Sequence, residues 1–313
     1  MTAVTASMVK ALRDKTGAGM MDCKTALTET DGDMENAIDW LRKKGLSKAA
    51  KKADRVAAEG LVGLMAKDNV GAIVEVNSET DFVARNPQFQ DMVRGITSLA
   101  PQAKGDLAKL LALPYPGKSA SVEEHVKEMV ATIGENMSVR RTVEASVKDG
   151  VVTEYVHNKV ADGLGKIGVL VALESKGDKA VLTGLGRQIA MHVAAASPAA
   201  VSADELDPAL VERERGVYAE QAKASGKSAD IIAKMVEGRL RKEFYQQVVL
   251  LQQTFLGAGG DGKATVEQVV KDAEKTAGAP VKIAKFVRYA LGEGIDKKEG
   301  DFAAEVAAAV GKR

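Results

Sequence analysis

GAIVEVNS, residues 71–78, and GVLVALES, residues 168–175, align without a gap, and that pairing decides how the chain is read. Each is an apolar run of strand length that opens on glycine and closes on serine. The same offset of 97 places Met92 on Ile189, Ile96 on Val193 and Pro101 on Pro198. A second block recurs further on. SVEEHVKEMVATIGENMSVRRTV, residues 121–143, lies over TVEQVVKDAEKTAGAPVKIAKFV, residues 265–287, at an offset of 144. There Val122 meets Val266, Val126 meets Val270, Gly134 meets Gly278 and Val143 meets Val287. Two blocks in the same order predict a duplicated α/β unit: strand, helix, helix, strand. The growth in offset assigns 47 extra residues to the second copy.

Those extra residues read as a helical hairpin. Asp207 is an N-cap with Pro208 at the first helical position. The turn SGKS, residues 225–228, leads into a return helix carrying Ile232, Val236, Leu240, Phe244, Val248, Leu251 and Phe255. Residues 1–45 read as three short helices: Met8 and Leu12 on the first, then Met20, Cys23, Ala26 and Leu27, then Ile38 and Leu41 behind an Asp33 cap, closing at Gly45. The basic, alanine-rich stretch after Gly45 reads as a solvated connecting helix. At the other end Phe302, Val306 and Val310 stripe a short helix capped by Asp301, too short to stand alone in water. The expected layout is α+β: an N-terminal three-helix domain with linker at 1–55, a first core subdomain at 56–150, its relative at 151–200 and 263–292, the inserted hairpin at 201–262, and a C-terminal helical module at 293–313.

Composition narrows the function. The 313 residues carry 44 basic and 43 acidic side chains, so no global field draws the chain to nucleic acid or an anionic membrane. One cysteine fits a reducing compartment. The first residues lack the apolar stretch of a signal peptide, and no run reaches the ~20 apolar residues of a membrane span. A cytoplasmic soluble protein is expected.

Catalytic chemistry is hard to find. GAGGDGKA, residues 257–264, matches most of a phosphate-binding loop but has Ala264 where the magnesium-binding hydroxyl belongs, and it follows an expected helix rather than a strand. His125, His157 and His192 are far apart, with no metal-ligand spacing. Cys23 reads as a small core residue. The informative residue is Phe82, in the polar loop SETDFVARN that follows GAIVEV. It stands too far before the Asn86-Pro87 helix start to be that helix's hydrophobic staple. At the repeat offset Asp81 falls on Asp178, but Phe82 falls on Lys179. The fold therefore does not demand an aromatic there, which favours an exposed anchor for a partner over a side chain folded into the core.

The segments TGAGMMDCKTAL, TDFVARN, IGENMSVRR, KIGVLVAL, MHVAA, KMVEGR and DFAAEVAA resemble, in order and spacing, the bacterial elongation factor Ts family. One departure is HNKVADGLGKIG, residues 157–168, longer than the family's usual link after the histidine. The resemblance implies a guanine nucleotide exchange factor, without covalent chemistry or cofactor, whose partner is elongation factor Tu, GDP-bound and nucleotide-free. It implies that the N-terminal domain is ubiquitin-associated-like and that the hairpin is a coiled coil. It also implies that Thr80, Asp81, Phe82 and Val83 dislodge the partner's magnesium, Phe82 entering an apolar pocket. Partner contacts are implied for Met20, Met21, Asp22, Lys24, Ile133, Gly134, His157 and Phe302. A helical adaptor or RNA-associated translation protein is the alternative reading.

Overall fold

The computed structural model describes residues 4–257 and 262–296. Three helices open it: α1 (Ala6–Thr16), α2 (Met20–Glu29) and α3 (Met34–Ala50). Thr5 and Asp33 cap the first and third by accepting the Met8 and Asn36 backbone N–H groups. Val9, Leu12, Cys23, Ala26, Leu27 and Ala37 bury one another between these helices. α3 does not close at Gly45 but continues to Ala50. A neighbouring helix explains why glycine stands there, since a Cβ on Gly45 would lie 3.1 Å from that of Ala131. The tail of α3 then seats Ala49 in the main core. Most of the connector is nevertheless exposed, including Leu46, Ser47, Ala50, Lys51 and residues 53–56, so it is anchored at Ala49 but otherwise solvated as expected.

β1 (Glu59–Lys67) and β2 (Val70–Ser78) form a hairpin, and β3 (Met137–Ser146) pairs antiparallel on the far side of β2. Between β2 and β3 run α4 (Pro87–Ala103), α5 (Leu107–Ala112) and α6 (Val122–Ile133). The second half has the same plan. β4 (Gly150–Ala161) and β5 (Leu164–Glu174) form a hairpin, and β6 (Lys282–Ala290) pairs antiparallel with β5. Between β5 and β6 lie α7 (Lys179–Ala196), α8 (Pro208–Lys223), α9 (Ala229–Arg239), α10 (Tyr245–Val248) and α11 (Val266–Ala277). The strands run in the order β3-β2-β1-β5-β4, with β6 also on β5. Mixed helices and antiparallel strands make the fold α+β. β1 and β4, which precede the strands of the sequence repeat, were not anticipated.

Strand alternation sorts the core. Ala72, Val74 and Val76 face Phe89, Met92 and Ile96 of α4, while Val169, Val171 and Leu173 face Leu182, Ile189 and Val193 of α7. The opposite faces, with Val62, Leu64, Ile73, Leu170 and Ala172, meet in a third apolar layer. Gly71 and Gly168 let these faces approach. A Cβ on Gly168 would lie 2.6 Å from Leu64 and 2.8 Å from Val62, and one on Gly71 would lie 2.7 Å from Val152. α6 and α11 open on capping boxes, Ser121 with Glu124 and Thr265 with Gln268, and each ends at a left-handed glycine, Gly134 or Gly278.

The insertion departs from its expected length. α8 begins at Asp207-Pro208 and α9 returns, but the helical path ends at Val248 and does not reach Phe255. Val249 turns extended and joins a bridge with Ala200, so Leu250 N–H donates to the Ala200 carbonyl at 2.9 Å. Leu250 and Phe255 pack beside α7 and α11, whereas Leu240, Phe244 and Val249 close on Tyr218 and Val236 within the hairpin. Residues 297–313, with Phe302 and the expected terminal helix, lie outside the described residues.

Candidate functional site

The loop after β2 inverts the usual burial of an aromatic. Val83 and Ala84 turn into the core beside Phe89, within a short 3₁₀ turn over Val83–Arg85. Arg85 N–H donates to the Phe82 carbonyl and Asn86 N–H to the Val83 carbonyl, closing the turn. The Asn86 side chain then accepts Gln88 N–H at 2.8 Å and starts α4. With both following residues inward, Phe82 is driven outward and is 76% exposed. It is not a core residue. In the second half Asp178 caps α7 directly and Lys179 is its first helical residue. The Phe82 turn thus occupies the place of a helical turn in the other half.

The base of this loop is held firmly. Glu135 accepts Thr80 N–H at 2.9 Å and the Thr80 hydroxyl at 2.6 Å. Asn136 N–H donates to Glu79 at 2.5 Å, and the Asn136 amide donates to the Arg55 carbonyl at 2.7 Å. Lys52 donates to the Gly134 carbonyl, and Arg55 pairs with Glu79 at 3.5 Å. The turn at 134–136 therefore joins the Thr80–Val83 segment to the chain that leaves α3. It also brings Ile133 and Gly134 next to that segment, although they lie over fifty positions away in sequence.

Other residues singled out in the sequence stand elsewhere. Met20 and Met21 are 50% and 71% exposed on α2, so neither is packed inside. Lys24 is exposed beside them, and Asp22 pairs with Lys44 at 3.3 Å. His157 is exposed on β4, three strands from β2, where its Nδ1 lies 3.1 Å from the Tyr155 hydroxyl. Glu135 and Asn136 were missed as functional candidates. Both lie inside IGENMSVRR, but only their contacts across the fold reveal a role.

The groups that carry chemistry elsewhere are occupied structurally. Burial lowers the pKa of His192, only partly offset by its hydrogen bond to Gln253. Burial raises the Cys23 thiol, which is fully enclosed. Among the described residues no group of three His, Cys, Asp or Glu could hold a metal. The glycine-rich stretch that begins at Gly257 follows a 3₁₀ turn over Leu250–Gln252 rather than the end of a long helix, and Phe255 N–H donates to the Ala264 carbonyl. Residues 258–261 lie outside the described residues.

The α+β fold thus presents Phe82 outward from a clamped loop, and the chain's relatives are elongation factors. The family model described as elongation factor TS matches residues 79–293. The chain is 65% identical to elongation factor Ts of Parvibaculum lavamentivorans over 99% of both chains. It is 58% identical to that of Rhodospirillum centenum, over 99% of this chain and 100% of the relative. It is 57% identical to that of Rhizobium etli, over 99% of both. The chain belongs to the elongation factor Ts family.

Proposed function

We propose that the chain is a guanine nucleotide exchange factor that binds elongation factor Tu with GDP, dislodges its magnesium and promotes GDP release during translation elongation. The observation that carries this reading is Phe82, 76% exposed on a loop whose base is clamped. Magnesium on nucleotide phosphates needs near-ideal octahedral geometry, so a small shift of its ligands weakens it. Thr80, Asp81, Phe82 and Val83 act there, with Phe82 in an apolar pocket of the partner. Ile133 and Gly134 extend the same contact, and Met20, Met21, Asp22 and Lys24 provide a second one from α2. His157 and Phe302 are further contacts. Chain and GDP oppose each other on the partner, and the coupling is reciprocal. No acid, base or cofactor is required.

The layout proposed is an N-terminal three-helix, ubiquitin-associated-like domain at 1–55, two copies of one core unit, a coiled-coil hairpin at 201–262 and a C-terminal module at 293–313. The two copies are supported by ladder bulges at Glu75/Val76 and Ala172/Leu173, one repeat apart, and by the paired capping boxes. We place the chain in the cytoplasm; among the described residues no helix is long and apolar enough to cross a membrane. Release of fluorescent GDP from purified elongation factor Tu tests the function. Acceleration at substoichiometric chain supports exchange, whereas binding without acceleration refutes it.

A further inference from the structure

The residues around Phe82 differ between the two halves in a correlated way. At the repeat offsets Thr80 corresponds to Gly177, Phe82 to Lys179 and Glu135 to Ala279. The second half therefore makes the same strand-to-helix passage with neither the aromatic nor the clamp. There Asp178 N–H bonds the Ala277 carbonyl instead, and Gly177 packs so closely that a Cβ would lie 2.7 Å from that oxygen. The fold alone does not need a carboxylate at 135. The half that presents an aromatic has one, with both oxygens spent on Thr80.

We propose that Glu135 is a positioning residue for nucleotide exchange, fixing the loop at Thr80 so that Phe82 is presented in the orientation in which the partner receives it. This rests on reading Phe82 as the anchor. An exposed phenylalanine on a loose loop would sample many orientations, and ordering it would consume part of the binding free energy. Two bonds to a carboxylate, both charge-assisted, remove that freedom beforehand. Glu135 touches neither nucleotide nor magnesium in this account; it acts through Phe82.

The test is a double-mutant cycle on the full chain, reading the maximal rate of fluorescent-GDP release from elongation factor Tu and the melting temperature. Glu135→Ala should slow release by about tenfold, the scale of one charge-assisted hydrogen bond, and lower the melting temperature by a few degrees while the chain stays fully folded at the assay temperature. On a Phe82→Ala background it should cost less than about twofold, because the residue through which it acts is gone. Glu135→Gln, whose amide can accept Thr80 N–H and donate to the hydroxyl, should restore most of the rate. If Glu135→Ala fails to fold, Glu135→Asp, whose carboxylate falls one methylene short of Thr80, takes its place, with about threefold expected in the parent chain and less than about twofold in Phe82→Ala. A full cost that persists without Phe82, or no cost while Phe82→Ala is slow, overturns the role of Glu135. If Phe82→Ala itself leaves release unchanged, the anchor reading fails and the positioning role falls with it.

Discussion

Glu75 on β2 and Ala172 on β5 hold matching places 97 residues apart, and each stands at the bulge of its own ladder. Ala172 lies in the apolar layer between the two halves. Glu75 is a carboxylate with 0% exposure that accepts from Arg140 at 3.1 Å, Arg141 at 2.5 Å and the Gly292 N–H at 2.8 Å. It ties the strand leading to the Phe82 loop to the turn that follows β6. Burial by itself would raise its pKa, but the Gly292 N–H, Arg141 and Asn77 outweigh burial and hold it below the ordinary value of 4.5.

Glu75→Ala is therefore expected to destabilise the chain by about 3 kcal/mol, since the two arginines lose their buried counter-charge. The sign with pH follows from the lowered pKa. The folded carboxyl ionises below its unfolded counterpart, so its contribution is complete above about pH 4.5 and fades as pH falls through the folded value. Urea titrations between pH 7 and pH 3 should show a flatter acid limb for Glu75→Gln than for the parent. An unchanged slope would mean that the carboxylate is not held as described.

Gly168→Ala should cost about 1–3 kcal/mol through overpacking, because its Cβ would meet Leu64, Val62 and Ile73 together. Gly184→Ala, in the interior of α7 with nothing within 4 Å of the new Cβ, should instead stabilise by about 0.5–1 kcal/mol. Denaturant midpoints of the two variants give the comparison, and equal shifts would argue against close packing of Gly168 on Leu64, Val62 and Ile73.

Helix starts were legible because capping is local chemistry. Asp33, Asn86 and Asp207 cap where the sequence places them. Helix ends were less so, because tertiary partners decided them: Ala131 admits Gly45 to the interior of α3, and Ala200 draws Val249 out of the return helix. β1 and β4 escaped notice because their partners, β2 and β5, carried the repeat that organised the reading. The exposure of Phe82 was inferable from Lys179 one repeat on. Glu135 was not, since its bond to Thr80 spans 55 residues and no local pattern announces it.

Removal of residues 1–55 should leave a folded remainder that melts a few degrees lower. It loses Ala49 from the core, the Gly45–Ala131 contact and the bonds of Lys52, Ala53 and Arg55 to the 134–136 turn. A loss of about 1–2 kcal/mol corresponds to roughly 2–5 °C for a chain of this size. If α2 contacts the partner, GDP release at low partner concentration should also weaken more than release at saturation. Equal loss at both concentrations would remove the docking role assigned to Met20, Met21, Asp22 and Lys24.

The central claim is that Phe82 is an exposed anchor whose insertion drives GDP from the partner, and the direct measurement is fluorescent-GDP release by Phe82→Ala alongside its thermal melt. A surface truncation at this exposure should change stability by no more than about 0.5 kcal/mol. Loss of an anchoring aromatic costs about 2 kcal/mol or more, so release should slow by roughly thirtyfold. Lys179→Ala, at the matching place in the second half, should leave both unchanged. Parent-like release by Phe82→Ala, with the chain folded, would contradict the account.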